Sequence, residues 1–219
     1  MRVSHVFESA TIRDAGSSSL RFMTEPTTKA DATSDVVKYR LNAEQSTFTV
    51  QAFAEGLFSA FGHDPVITIR DFVGEVQFVP GTFEAASLQI SINARALAVS
   101  GNVKEKDRIE IERTMRDEVL EVEKYPEILF TSTNISASRV ADGRYRSRII
   151  GDLTLHGVTQ KNLWITAEVT VKEKDLRAEG EFSLKQTDFG IKPFSAVAGT
   201  IKLKNELKFS FNIMAQEEG

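Results

Sequence analysis

Apolar and polar residues alternate along most of the chain from Tyr39 onward. In STFTVQAFAE, for example, Phe48 and Val50 share one face while Thr49 and Gln51 share the other, and SLQISINARAL and IKLKNELKFSFNI alternate in the same way. A period of two is typical of a β-strand with one face buried and the other in water. It indicates an antiparallel sheet, because the buried strands of parallel sheets are continuous apolar runs.

Turn signals divide this pattern into eight predicted strands. The strands are predicted at residues 46–55, 66–79, 86–96, 127–138, 144–155, 158–172, 176–185 and 199–213. Eight long antiparallel strands favour a closed barrel, because closure removes the exposed edges. A barrel of this size either fills with its own side chains or holds one small ligand. A β-sandwich is the alternative that the strand count leaves open.

One segment, KEKDRIEIERTMRDEVLEVEKYP, has a helical period instead. Ile111, Met115, Val119 and Val122 form a single apolar stripe among charged residues, and Pro126 ends the pattern. The sequence therefore predicts one amphipathic helix between the third and fourth strands, lying across the barrel with its stripe buried. A lid or a partner-binding face is the functional alternative for this helix.

Composition narrows the class of protein. The chain has 219 residues, a net charge of -4 and no cysteine, which argues against a nucleic-acid surface and excludes disulfides and thiolate sites. No apolar run approaches the roughly 20 residues of a membrane span, so we expect a soluble protein with no transmembrane segment. Polar residues interrupt positions 1–37 throughout. We therefore expect a polar, disordered tail there, no signal peptide, and a cytoplasmic location.

Two histidines are candidates for chemistry. His63 and Asp64 are adjacent, and on an extended chain they point in opposite directions, which does not suit a catalytic pair. Gly62 and Pro65 favour a turn or strand entry at this point, with contact to a ligand head group as the alternative. His156 precedes a glycine between two strands, and we expect it to be a solvent-facing turn residue.

The sequence offers no cofactor or metal site. It contains three histidines, one of them in the N-terminal tail, and a metal site needs several ligands at bonding distance. The acidic residues at positions 107–123 suit the wet side of a helix. No dinucleotide, P-loop or HExxH pattern occurs. We therefore expect no metal, no cofactor and no catalytic residue.

Four stretches together resemble the YceI-like, or polyisoprenoid-binding, family. GDLTLHGVTQKNLWI is similar to the family's GDLT-x-x-GVT-K pattern, and TDFGIKPF is similar to its DFGI segment. YPEILFTST and YRLNAEQSTFTV resemble two further strands of the family, and all four occur in the right order. The resemblance divides the chain into a tail at 1–37, a YceI-like domain at 38–214 and a short C-terminal tail at 215–219.

The resemblance implies a lipocalin-like antiparallel barrel around an apolar channel. Family members bind amphiphiles with long isoprenoid or acyl tails, sometimes as homodimers, with no generally established enzymatic activity, and many are exported to the periplasm. We therefore expect a non-catalytic protein that carries or sequesters a long-chain isoprenoid or other amphiphilic lipid, and a periplasmic location is the alternative. Two rival hypotheses are an enzyme that acts on such a lipid through His63 or His156, and a solid-cored structural or stress-related interaction domain.

The chain departs from the family pattern around its helix. KDRIEIERTMRDEVLEV replaces the usual D-x-HL and D-F-F segment, so polar contacts proposed from that segment do not transfer, and Gln160 stands where Lys is common. Fifteen Phe residues supply apolar surface without a polar group to satisfy. The alternation changes near Asp71, which leaves the inward face there undetermined. The predicted ligand-binding residues are Phe48, Val50, Phe53, Phe58, His63, Arg70, Phe72, Phe130, Phe182, Asp188, Phe189 and Phe209.

Overall fold

The computed structural model describes residues 36–55, 64–80, 83, 85–196 and 201–219. The expected N-terminal tail, except for its last two residues, lies outside the described residues, as do Phe58 and His63. The strands are β1 (Val37–Glu55), β2 (Val66–Thr68), β3 (Phe72–Phe78), β4 (Ser87–Asn93), β5 (Ala98–Ser100), β6 (Glu127–Ala141), β7 (Arg144–Leu155), β8 (Val158–Lys172), β9 (Asp175–Lys185), β10 (Ser195–Ala196) and β11 (Ile201–Glu217).

Eight of these strands close into an antiparallel barrel. They follow the order β1, β3, β4, β6, β7, β8, β9 and β11, and β11 pairs again with β1. The closing ladder runs from Tyr39 opposite Glu217 to Glu55 opposite Lys202. The eight-stranded barrel predicted from the alternation is thus confirmed, and the sandwich alternative is excluded. The short strands β2, β5 and β10 lie beside the ring.

The predicted strand at 66–79 is in fact two strands. β2 pairs with the second half of β1, opposite residues 49–51, whereas β3 pairs with its first half, opposite residues 37–40. The chain changes partner positions between them, where the Ile69 N–H donates to Phe48 O and the Asp71 carbonyl accepts from Asn93 N–H. This shift explains the broken alternation near Asp71. Two other boundaries also differ, since β1 begins nine positions before the predicted residue 46 and β11 continues beyond residue 213.

The predicted helix is present but shorter. Helix α1 (Glu105–Thr114) continues as a π-helical turn over Met115–Val119, with Leu120 N–H bonded to Met115 O. The chain leaves the helix before Pro126, because Glu121 has a φ of 45° and cannot continue a right-handed helix. In the described parts of the chain, no helix combines the length and hydrophobicity that a bilayer span requires.

Pairing between β8 and β9 is incomplete. Residues 168–172 of β8 pair with residues 175–179 of β9, but nearer the helix end of the barrel these two strands share no ladder. There β8 is bonded to β7 alone and β9 to β11 alone. We call residues 161–167 of β8 and 180–185 of β9 the β8–β9 gap. Trp164, the only tryptophan, lies on the β8 side of the gap and is 65% exposed.

The two ends of the β8–β9 gap are defined by specific contacts. At one end is Gly180, where a Cβ atom would collide with the carbonyl oxygen of Thr166, so the strands are still close together there. At the other end the Gln160 side chain donates a hydrogen bond to the backbone oxygen of Asp188. Gln160 thus links β8 to the turn that follows β9.

We expect amide hydrogen exchange to distinguish the β8–β9 gap from the rest of the wall. Amides of residues 163–167 and 181–185 that do not bond to β7 or β11 should exchange with little protection, because they have no partner strand. Amides in the paired section at 168–172 should be strongly protected, and the continuous β6–β7 ladder is the internal control. Exchange is measured by NMR, and uniformly slow exchange along both strands would contradict the absence of pairing in the β8–β9 gap.

Candidate functional site: the barrel cavity

The barrel encloses a cavity of about 760 Å³. Inner-face residues of all eight ring strands line it, together with Ile111, Met115 and Val119 of the helical segment. The stripe predicted for the helix therefore faces the interior, while Val122 is buried at 4% exposure. A cavity of this size contradicts the alternative of a domain with a solid core.

The lining is almost wholly apolar. Leu, Ile, Val, Phe and Ala dominate it, and none of the described lining residues is a Lys, Arg, His or Asp. The polar side chains on the wall are Glu110, Thr114, Tyr145, Ser147 and Gln186. Such a surface attracts hydrocarbon and offers very few partners to a charged group.

One end of the cavity adjoins helix α1. Ala54, Pro65, Phe194 and Leu203 line this end together with residues of α1. Glu110 is also part of the lining, yet its side chain is 65% exposed and forms an ion pair with Arg113 at 2.8 Å. The hydrogen bond and charge of Arg113 lower the pKa of Glu110, which keeps this carboxylate ionised near neutral pH. The helix end is therefore where the cavity lining meets water.

The opposite end, at the β6–β7 and β8–β9 hairpins, carries an aromatic cluster. Tyr39 stacks on Phe78 with ring centroids 5.5 Å apart, Phe78 stacks on Phe83 at 5.8 Å, and Phe83 meets Tyr145 edge-on at 5.2 Å. Tyr39 is only 3% exposed, and its burial raises the pKa of its hydroxyl group. Rings in these geometries pack densely, so the cluster forms the floor of the cavity.

Phenylalanines also form the central wall. Phe182 of β9 stacks on Phe209 of β11 with centroids 4.8 Å apart and planes within 10°. Phe48 of β1 contacts Phe209 and Phe211 at 6.5 and 6.3 Å. Their register explains this arrangement, because Phe209 lies opposite both Val50 and Phe182 in the ladders.

The predicted ligand-binding residues fall into three groups. Those that line the cavity are Phe48, Val50, Phe130, Phe182 and Phe209. Phe72 and Phe189 are buried in the packed wall without lining the cavity, and Phe53, Arg70 and Asp188 also lie outside the lining. Phe58 and His63 lie outside the described residues. Phe53 lies off the wall because it stands between Ala52 and Ala54, which both line the cavity, and neighbouring side chains on a strand point to opposite faces.

Sequence reasoning missed several lining residues. On β7, Ile149, Leu153 and Leu155 line the cavity in regular alternation, with Asp152 and Thr154 on the other face. The apolar residues of IIGDLTL were a usable signal for this strand. No sequence pattern marked Gln186 as a lining residue, because a buried polar residue in a turn follows no hydrophobic period.

Of the adjacent residues His63 and Asp64, only Asp64 lies within the described residues. The Asp64 carboxylate accepts a hydrogen bond from Ala54 N–H at 2.9 Å. Asp64 therefore fixes the chain at the entry to β2, which agrees with a strand-entry role. His63 lies outside the described residues, and its part in the site stays a prediction.

His156 lies outside the cavity and binds structural partners. The prediction that it faces solvent is wrong, because its side chain is 14% exposed. Its Nε2 lies 2.7 Å from Glu121 Oε2, its Nδ1 lies 3.3 Å from Phe189 O, and the Tyr125 ring packs 4.6 Å away. Both ring nitrogens are thus occupied. His156 ties the segment after the helix to the turn after β9.

The backbone at this point requires unusual conformations. His156 and Gly157 have φ values of 53° and 72°, as in the type I′ turns that join twisted antiparallel strands. Tyr125 lies against Gly157, so a side chain there would collide with its ring. Among the described residues, no group of three or more His, Asp or Glu side chains is positioned to hold a metal ion.

The chain is therefore a closed antiparallel barrel whose apolar interior is not filled by its own side chains, the class of small barrel with room for one ligand. The model of the YceI-like domain matches residues 39–215. The chain therefore belongs to the YceI-like family, as its sequence patterns predicted.

Relatives in bacteria support this assignment. A UPF0312 protein of Pseudomonas fluorescens is 33% identical over 147 residues, which cover 64% of this chain and 71% of the relative. A UPF0312 protein of Pseudomonas syringae pv. tomato is 31% identical over 159 residues, covering 69% and 77% of the two chains.

Solved structures share the fold at low sequence identity. BcnA of Burkholderia cenocepacia has a TM-score of 0.60 at 14% identity, with 80% of this chain and 99% of BcnA covered. A polyisoprenoid binding domain from Saccharophagus degradans has a TM-score of 0.57 at 12% identity, with 82% and 98% covered. These similarities concern the fold alone.

Substitution of His156 should lower stability without changing ligand affinity. We expect His156→Asn to lower the free energy of unfolding by about 1 kcal/mol, because the bonds to Glu121 and Phe189 are lost. His156→Ala should lower it by about 2 kcal/mol, because Ala also tolerates positive φ less well than Asn. Denaturant unfolding measures both values. Unchanged stability in the Ala variant would contradict this structural role.

Proposed function

We propose that this protein binds a long-chain isoprenoid or other amphiphilic lipid without catalysis, and carries or sequesters it. The single observation that carries the proposal is the cavity of about 760 Å³ with an almost wholly apolar wall. A lipid tail is the occupant whose chemistry matches such a wall along its full length. Burial of the tail between the aromatic cluster and the helix end is the binding event.

The volume suits a long tail. Pockets that hold drug-sized ligands have roughly 300–1,000 Å³, and this cavity of about 760 Å³ lies in the upper part of that range. A cavity of about 150 Å³ accommodates one benzene molecule, so the barrel has room for roughly 30 carbon atoms. Several isoprene units, or a fatty chain, fit within this limit.

The energy of transfer favours a long tail over a short one. Burial of each methylene group contributes about 0.8 kcal/mol, whereas association costs about 4–15 kcal/mol in lost freedom. Roughly ten or more buried carbons are therefore needed before binding becomes useful without strong polar contacts. The absence of basic side chains from the described lining makes the tail, and not a charged head group, the main source of affinity.

A solved relative of the same fold is described as a polyisoprenoid binding domain. That description supports an isoprenoid tail as the first ligand to test in this chain. It adds to the chemistry of the wall, which accepts any apolar chain of suitable length.

Binding is favoured over the alternative of an enzyme that uses His156. Both ring nitrogens of His156 are engaged by Glu121 and Phe189, so neither is free to take a proton from a substrate. In addition, His156 is not among the residues that line the cavity. A tail in the cavity would therefore not bring its head group to this imidazole.

The direct test is to identify the bound molecule. The purified protein is analysed by native mass spectrometry, stripped of lipid by organic extraction, and offered prenyl and acyl chains of increasing length. We expect an adduct or rebinding, with affinity that rises with chain length until the cavity is full. Failure to bind any chain after verified refolding would overturn the proposal.

A substitution that narrows the cavity should shorten the longest chain it accepts. Ala178 lines the cavity floor next to Val169 and Ile213. Ala178→Phe should weaken binding of the longest tails by about 0.8 kcal/mol for each carbon displaced, and should leave short tails unaffected. Thr170→Phe on the outer face of β8 is the matched control. Equal effects of both variants in a chain-length titration would argue against an interior site.

A further inference from the structure

Gln186 is a buried polar side chain on the apolar wall. It begins the short 3₁₀ turn Gln186–Phe189 that follows β9, it is 5% exposed, and it lines the cavity. A buried amide needs hydrogen-bond partners, because the loss of water from it is otherwise uncompensated.

Only one end of this amide has a partner among the described residues. Gln186 Nε2 donates to the backbone oxygen of Lys204 at 2.8 Å. Because a backbone carbonyl can only accept, the amide nitrogen must face Lys204, and this fixes the orientation of the group. The β9–β11 ladder ends at Lys185 and Glu206, so this bond satisfies a carbonyl just beyond it. Gln186 Oε1 accepts no hydrogen bond from the described part of the chain.

The turn holds Gln186 rigidly. The N–H groups of Gly190 and Ile191 bond back to the oxygen of Gln186. The Asn205 side chain fixes the next residue, since its Oδ1 accepts from Thr187 N–H at 3.0 Å and its Nδ2 donates to Thr187 Oγ1 at 2.8 Å. The amide is therefore held in place before any ligand arrives.

Charge on the wall restricts what Gln186 can bind. The described lining contains no basic side chain, and its one ionisable carboxylate is Glu110 at the helix end. A carboxylate or phosphate inside the cavity would have no counter-charge, and its desolvation would oppose binding. A neutral donor is the group that the free amide oxygen can satisfy.

We propose that Gln186 Oε1 accepts a hydrogen bond from the neutral head group of the ligand, so that the cavity selects long-chain alcohols over the corresponding acids and phosphates. This inference rests on the proposed lipid-binding function and adds the chemistry of the head group. Gln186 follows β9 at the helix end and is itself buried, so a head group bonded to it is shielded from water while the tail extends towards the aromatic cluster. Of the other polar groups on the wall, Tyr145 and Ser147 lie towards the floor, whereas Glu110 and Thr114 belong to helix α1.

The test compares geranylgeraniol with its methyl ether, which has the same tail but no hydroxyl donor. The wild-type protein should bind the alcohol about 5-fold more tightly than the ether, as one neutral hydrogen bond predicts. Gln186→Met, which keeps an unbranched chain without the amide, should bring this ratio to about 1. Gln216→Met, the same change at an exposed position of β11 outside the cavity lining, is the matched control and should keep the wild-type ratio. Geranylgeranic acid should bind more weakly than the alcohol at pH 8.

Each result decides between the two proposals. An unchanged ratio in Gln186→Met, or loss of the ratio in Gln216→Met, would overturn the role of Gln186. Failure of both alcohol and ether to bind the wild type would instead overturn the lipid-binding function. If Gln186→Met does not fold, the NMR signal of the Gln186 side-chain amide in the wild-type protein is followed instead. A shift on adding the alcohol but not the ether supports the inference, and identical responses contradict it.

Discussion

The hydrogen-bond ladder between the first and last strands is the constraint on which the rest of the structure depends. It joins β1 to β11 from Tyr39 to Glu55 and turns a twisted sheet into a ring. Ser46 preserves the ladder across its register shift, because its hydroxyl accepts from Met214 N–H at 2.9 Å and donates to Asn42 O. Closure makes every apolar inner face meet another across an enclosed space, so the cavity is a consequence of the ladder.

The same closure sets the character of the interior. Water fills such a space poorly when few wall groups can bond to it. The wall therefore creates a thermodynamic demand for an apolar occupant, which links the packing of the barrel to its proposed function.

The fold could be predicted from the sequence because each ring strand buries one face. Regular alternation located eight strands, and Phe48 and Val50 were placed on the cavity wall by that rule. Phe53 was predicted on the wall against that rule, since it alternates with Ala52 and Ala54, and it lies outside the lining. Prediction also failed where the period breaks, because the left-handed backbone at Glu121 ends the helix early. Gln186 could not be found from sequence, because its burial depends on the end of a ladder between distant strands.

The incomplete contact between β8 and β9 gives the tube a compliant panel. An increase in circumference between β9 and β11 would break a ladder, whereas along this stretch of β8 and β9 no backbone bond has to be broken. The β8–β9 gap can therefore widen around a branched or bent ligand while the paired strands keep their positions. Trp164 lies on this panel at 65% exposure. Because Trp164 is the only tryptophan in the chain, its fluorescence emission reports on movement of this panel when a ligand binds.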